Sequence, residues 1–292
     1  KRLNKIKNEK SKKGKWAKNA NIQFFTADTS MELYSKYNSN KSKNLFPNLT
    51  EDSYKSLQVD EEGLFSITKP YFNQEIVNII NIVITNLSVE TIIDGNGGIG
   101  GDTIGFSKHF KNVFTYEINP QRCDKLKNNV KTYKLTNVKV ICGELINDPK
   151  IQKFQNSILY FDPPWGGKDW KKNPNIIGKD SAISKSNCGP YEILKFINSK
   201  SINVKLLVFK LPSLKKWSNM NSKSEVNKYK NQMDSLKSKF KNYKILWKDI
   251  YEFMLLICIP IKFYKTKQSQ LINEYKSLSF TLQNYYRINT FD

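Results

Sequence analysis

The residues with the clearest chemical meaning are Asp162-Pro163-Pro164-Trp165-Gly166-Gly167-Lys168, which follow the apolar run Ser157-Ile158-Leu159-Tyr160-Phe161. Proline has a fixed φ and no N–H, so two in succession stiffen a turn and leave carbonyl oxygens free to accept. The exocyclic amine of a nucleobase is planar and a poor nucleophile, and it needs acceptors to hold and aim it. The side chain of Asp162 and the carbonyl of Pro163 could serve. Pro164 and Trp165 would border the base, with the indole offering a face for stacking. A proline turn capping a core strand, with Trp165 as packing, is the plainer reading of the heptapeptide taken alone.

A second motif fits the same chemistry. Thr91-Ile92-Ile93-Asp94-Gly95-Asn96-Gly97-Gly98-Ile99-Gly100-Gly101-Asp102-Thr103 reads as a strand, a glycine-rich turn and a helix start. Glycines let the backbone approach a ligand closely and tolerate positive φ. The next strand, Val113-Phe114-Thr115-Tyr116-Glu117, ends in an acid about 20 residues after the loop, where a ribose-binding carboxylate is expected in a doubly wound sheet. An acid ahead of the glycines suits a cationic ligand better than a pyrophosphate. That favours S-adenosylmethionine, which carries an ammonium and a sulfonium. The displacement requires no metal, and His109 falls in a helix tail far from both motifs.

The elements that must position these residues can be read from periodicity. Strands fit residues 90–94, 112–117, 137–142, 157–162 and 204–210, alternating with helices at 101–110, 120–133 and 191–199. An apolar helix over 72–87 precedes them, with Ile76, Val77, Ile79, Ile80, Val83 and Ile84 at helical spacing. Alternation of this kind implies a parallel sheet with helices on both faces. Two further strands, 243–250 and 252–261, joined by a tight turn, close it. The expectation is a Rossmann-like α/β methyltransferase fold: a seven-stranded sheet with a C-terminal antiparallel hairpin, plus a small N-terminal helical extension. The segments divide as a basic arm (1–18), the extension (19–71), the methyltransferase domain (72–265) and a tail (266–292). Within the extension, 30–37 reads as a short helix and 38–59 as a polar loop.

Composition bears on the partner. Lys and Arg number 48 against 26 Asp and Glu, a formal charge of +22. Such charge concentrates polyanions and speeds encounter with them. A lysine-coated surface from an AT-rich genome, cellular or viral, would show the same excess. The basic arm fits a solvated run, a phosphate-binding segment or a nuclear address. Cys123, Cys142, Cys188 and Cys258 show no metal-ligand spacing and no disulfide framework, and Cys142 and Cys258 read as small core residues. The expectation is an intracellular monomer, nuclear or cytoplasmic (host cytoplasm if viral), away from membranes. Lys1 in place of Met implies a missing upstream segment.

From residue 33 to 212 the chain resembles the RNA cap guanine-N2 methyltransferases, the trimethylguanosine synthases. Four blocks in the family's order carry the resemblance: Leu33-Tyr34-Ser35-Lys36-Tyr37; Glu62-Gly63-Leu64-Phe65-Ser66-Ile67-Thr68; Asp94 to Thr103; and Pro163-Pro164-Trp165-Gly166-Gly167. The resemblance implies an S-adenosylmethionine-dependent enzyme acting on the N2 amine of an m7G-capped RNA. It implies that Asp94, Gly95, Gly97, Gly100 and Thr103 line the methionine end of the donor. Glu117 would bind the ribose and Glu144 would lie near the adenine. Glu62, Ser66 and Thr68 would complete the donor site, and Asp162 would border it. Trp165 would stack on the cap guanine, with Tyr34 and Asn129 beside it. Two departures stand out. The cellular enzymes usually have Ser where this chain has Asp162. An Arg that follows Leu-Pro in the family is Ser213 here, so Lys210, Lys215 or Lys216 would have to meet the cap phosphates. Two rivals remain. One is an adenine-N6 or ribosomal guanine-N2 methyltransferase, although in the messenger-RNA adenine enzymes Asp-Pro-Pro-Trp precedes the donor motif. The other is a catalytically silent cap- or RNA-binding subunit.

Overall fold

Thr91–Asp94 (β1) is short and, after its first residue, wholly buried, as befits the middle of a sheet covered on both sides. The computed structural model describes residues 45–85, 87–167, 170, 183, 186–213, 222–250 and 253–264. Among these, β1 is joined by Asn112–Glu117 (β2), Val138–Cys142 (β3), Ile158–Phe161 (β4), Leu206–Pro212 (β5), Tyr243–Ile250 (β6) and Phe253–Pro260 (β7). The sheet order is β3-β2-β1-β4-β5-β7-β6. The first five strands are parallel, and β7 runs antiparallel between β5 and β6. This is the class I methyltransferase arrangement expected, with its closing hairpin. Chain order reverses at β1, whose neighbours are β2 and β4. The carboxyl ends flanking such a switch point form the crevice where open α/β sheets take ligands.

The helices are set by recognisable end signals. Among the described residues they are Glu51–Lys55 (α1), Glu61–Ser66 (α2), Pro70–Ile84 (α3), Gly101–Phe106 (α4), Pro120–Thr132 (α5), Pro190–Lys200 (α6) and Lys223–Lys239 (α7). Proline opens α3, α5 and α6, where its missing N–H costs nothing. Asp60 caps α2 and Asn119 caps α5. Ser222 and Glu225 form a reciprocal capping box on α7.

Because side chains alternate across a strand, each strand feeds two cores. Ile93, Leu159, Phe161, Leu207 and Phe209 pack with α6 and α7. Ile92, Ile158, Tyr160 and Val208 pack on the other side with α3, Phe106 and Phe110. A third cluster joins Phe46, Tyr54, Leu57 and Val59 to Ile99 and Ile104.

That third cluster corrects the expected polar loop at 38–59. Its described part contains α1 and four buried apolar residues, spaced too irregularly to show a period. Helix α7 was not anticipated, because its lysine-rich sequence buries only Tyr229 and Leu236. Helix α4 stops at Phe106, short of residue 110. The cysteine reading also needs correction. Cys123 and Cys142 form a disulfide, with Cα atoms 5.6 Å apart, and Cys142 is exposed. The β2–α5–β3 crossover lays the first turn of α5 beside the end of β3, an approach that a separation of 19 residues does not reveal. Cys258 is fully buried, as expected. The basic arm, the helix at 30–37 and the tail lie outside the described residues. Among the described residues no helix is long and apolar enough to cross a membrane.

Candidate active site

The glycine turn and the proline corner meet at the carboxyl ends of β1 and β4. Gly95 N donates to the Tyr160 carbonyl (2.8 Å), and Gly97 N to that of Tyr116 (2.8 Å), so the turn is pinned between β4 and β2. Gly100 takes φ 106° to start α4, a conformation that favours glycine. At Gly101 a Cβ would come within 2.6 Å of Ile67, so the glycine admits the segment after α2.

Asp94 lies beneath the turn with no exposed surface. Its Oδ1 accepts from Asn96 N (3.2 Å), and its Oδ2 accepts from Thr103 Oγ1 (2.7 Å), which also lies 2.9 Å from Thr115 Oγ1. Burial, reinforced by Asp102, pushes its carboxyl up to about 7. Asp94 and Thr103 therefore shape the turn from below.

Behind them runs a buried polar network with no sequence signal beyond an acid in the first turn of α4. Asp102 accepts from Thr68 Oγ1 (2.7 Å), Tyr160 Oη (2.9 Å) and Asn73 Nδ2 (2.9 Å). Thr68 Oγ1 in turn accepts from Lys210 Nζ (2.7 Å), and the same ammonium donates to Asp162 Oδ2 (2.6 Å). Asp102 opposes ionisation of both Asp94 and Asp162, and Lys210 is the cation set among the three acids. The excess of carboxyl groups suits a cationic ligand.

Asp162 follows β4 with its side chain 18% exposed. Burial pushes its carboxyl up to about 6 against the pull of Lys210. Pro163 is buried and Pro164 exposed. Trp165 is half-buried; its Nε1 donates to the Lys210 carbonyl (3.2 Å), and its ring packs edge-on against Trp170 at 5.2 Å. Trp170 was missed in the sequence because it lies beyond the motif.

On the other side of the turn, Glu117 Oε2 accepts from Gly98 N (2.9 Å) and Oε1 from Asn119 N (2.9 Å). Burial holds this carboxyl above its ordinary value, offsetting the two amides and Arg122. Each oxygen keeps a lone pair for a diol. Glu144, two residues past the end of β3, accepts from Asn147 (2.6 Å) and Asn187 (3.0 Å). Asn96 Oδ1 is buried without a partner among the described residues, an acceptor left open inside the turn.

Several candidates do not reach the site in the expected way. Asn129 is fully buried. It accepts from Gln58 N (2.8 Å) and donates to the carbonyls of Gln58 (2.8 Å) and Ile99 (2.9 Å), so no edge remains for a guanine. Glu62 is exposed and pairs with Arg122 (2.5 Å). Ser66 is exposed and donates back to the Glu62 carbonyl (2.8 Å). Lys210, 5% exposed, is spent on Asp162 and Thr68 and cannot meet a cap phosphate. Ser213 is buried and donates to Asp249 (2.8 Å). Tyr34, Lys215 and Lys216 lie outside the described residues.

Residues 89–252 match a family described as RNA cap guanine-N2 methyltransferase. An uncharacterized protein of Acanthamoeba polyphaga mimivirus is 30% identical over 154 residues, covering 45% of this chain and 60% of that protein. The trimethylguanosine synthase of Schizosaccharomyces pombe is 30% identical over 157 residues, covering 52% of this chain and 59% of that enzyme. The chain thus spans about three fifths of each of these relatives. Among solved structures, an S-adenosylmethionine-dependent methyltransferase from Clostridium acetobutylicum is 13% identical with a TM-score of 0.40, covering 65% of this chain and 92% of that one.

Proposed function

The chain belongs to the RNA cap guanine-N2 methyltransferase family, and from that premise we propose that it methylates the exocyclic N2 amine of an m7G RNA cap, with S-adenosylmethionine as the donor. The observation that carries the reading is the Asp162 carboxylate, fixed on one oxygen by Lys210 and standing beside the glycine turn at the end of β4.

Residues present fit the donor. Glu117 is held by two amides with lone pairs to spare for ribose hydroxyls, and such charged acceptors make the stronger hydrogen bonds. The acid-rich cluster around Asp94 and the open acceptor of Asn96 suit a cationic methionine end. When bound, S-adenosylmethionine supplies a methyl group on a sulfonium. The chain's part is to hold the amine. Its lone pair is delocalised into the ring, so Asp162 Oδ1 and the Pro163 carbonyl would take its hydrogens and aim the nitrogen. Positioning of this kind is worth roughly 7–11 kcal/mol of barrier. Trp165 would stack on the guanine. An N7-methylated guanine is cationic, and the indole face attracts it by about 0.5–2 kcal/mol, so the substrate should already carry the N7 methyl.

The test is methyl transfer to m7GDP with mass analysis of the product, run beside GDP and uncapped RNA. Product carrying a new methyl on N2 of m7GDP supports the reading. Equal rates on GDP would remove the requirement for N7 methylation. Transfer to uncapped RNA alone would instead support a second reading, adenine-N6 or ribosomal guanine-N2 methylation, which the carboxylate in place of the family's usual Ser favours.

A further inference from the structure

Lys210 is a buried lysine in a strand that otherwise reads as unbroken core, Leu206–Pro212. Burying an ammonium is costly unless it is paired, so its presence asks for a reason. The register supplies one. Phe161 pairs with Phe209, which puts Lys210 level with Asp162 just past the end of β4. One residue then touches both halves of the proline corner: its ammonium donates to Asp162 Oδ2 (2.6 Å), and its carbonyl accepts from Trp165 Nε1 (3.2 Å). The third contact, to Thr68 (2.7 Å), reaches across to the segment after α2.

We propose that Lys210 is the positioning residue for Asp162: it fixes Oδ2, keeps the carboxyl ionised and leaves Oδ1 as the acceptor for the substrate amine. The Asp162/Lys210 pair thereby replaces, as a net-neutral unit, the hydroxyl that the wider family presents at position 162. The consequence for turnover rests on the methyl-transfer reading above; the effect on Asp162 itself does not.

The surroundings make the lysine necessary. Asp162 feels Asp102 from α4 and, more distantly, Asp94 from β1, and both oppose its ionisation. Tyr160 from β4 donates to Asp102 and is held well above the ordinary phenol value by burial and these acids, so it stays neutral. Thr68, Phe253 from β7 and the Trp165 ring complete the enclosure without adding charge, the two rings lying 5.1 and 5.7 Å from the ammonium. Burial pulls Lys210 down, but Asp162, Asp102 and Asp94 more than offset it. Lys210 is therefore the cation that holds Asp162 in its charged form. A protonated Asp162 would present a donor to an amine that needs an acceptor.

The experiment is a carboxyl-13C titration of Asp162 in the full chain, its signal assigned by its loss in Asp162→Asn, with Lys210→Met and Lys210→Arg compared. Removing the ammonium should raise the Asp162 midpoint by about 1–3 pH units, and Lys210→Arg should restore it. The acid limb of the turnover profile on m7GDP should move with the midpoint. An unchanged midpoint in a folded Lys210→Met chain overturns the proposal. If Lys210→Met does not fold, Asp162→Ser/Lys210→Met decides. A folded double variant means the unpaired acid was at fault and supports the pairing; an unfolded one makes Lys210 a packing residue and overturns it. Failure of the wild-type chain to methylate m7GDP sinks the cap reading alone, because the titration needs no substrate.

Discussion

Asp162 owes its chemical state to its neighbours more than to its own identity. Burial lifts its carboxyl to about 6, so the ionised form needed to accept an amine hydrogen is lost as pH falls through that value. Turnover of m7GDP should accordingly fall below about pH 6, and Asp162→Ala should cost roughly 100-fold or more in kcat with donor affinity preserved. A variant with full turnover would end its role. Glu117→Ala should weaken S-adenosylmethionine by about 1.5–3 kcal/mol, the worth of a hydrogen bond to a charged group; calorimetry giving the wild-type affinity would exclude ribose binding there. Asp94 makes the opposite kind of prediction, about stability. Its folded value of about 7 lies above its ordinary 3.8, so the folded chain retains a proton that the unfolded chain releases. Stability from this group is present below about pH 4 and is lost as pH rises towards 7. Asp94→Asn, which mimics the protonated form, should flatten that part of the melting-temperature profile. A profile with the same slope in both chains would show that Asp94 does not retain the proton.

At the scale of elements, what matters is how the N-terminal segment is fastened to the sheet. The fasteners are side chains on backbone: Asn129 on Gln58 and Ile99, Asn128 Nδ2 on the Ser56 carbonyl (2.6 Å) and Tyr133 Oη on the Pro47 carbonyl (2.9 Å). Arg122 adds ion pairs to Asp60 (3.4 Å) and Glu62 (2.5 Å). Three of these four residues lie on α5, and Tyr133 is its C-cap, so this helix is the bracket between the extension and the donor crevice. The same segment delivers Thr68 to the Lys210–Asp102 network. Asn129→Ala would strand buried backbone groups at a cost of about 1–3 kcal/mol. It should lower the denaturation midpoint and speed proteolysis before residue 68, while leaving the intrinsic binding of m7GDP to the folded chain unchanged. A specific loss of m7GDP affinity without destabilisation would instead put Asn129 at the guanine. Element positions were mostly legible: β2 and β6 have the expected bounds, because alternating or unbroken apolar runs ending in polar turns admit few alternatives. Helix α7 was not legible, because a lysine-rich helix that buries two side chains leaves almost no apolar stripe.

Over the whole molecule the charge of +22 leaves two explanations that salt can separate. If the surface tracks an RNA backbone through six or more phosphates, affinity for a capped oligonucleotide should fall by about 1,000-fold or more between 50 and 200 mM salt, while m7GDP binding changes little. An oligonucleotide that binds no more steeply with salt than m7GDP would mean the lysines only coat the surface. The sequence alone determined the class of fold, the two motifs and their order, and hence the family. These features are local: periodicity, glycine and proline stereochemistry, and a carboxylate at the ends of β1, β2 and β4 act through neighbours in the chain. Tertiary structure decided which charges face one another. That Lys210 neutralises Asp162 and is lost to the phosphates, that Asn129 fastens the extension, and that Cys123 meets Cys142 all depend on strand register and helix crossover. These bring together residues 48, 71 and 19 positions apart, and at such separations spacing carries no information about contact.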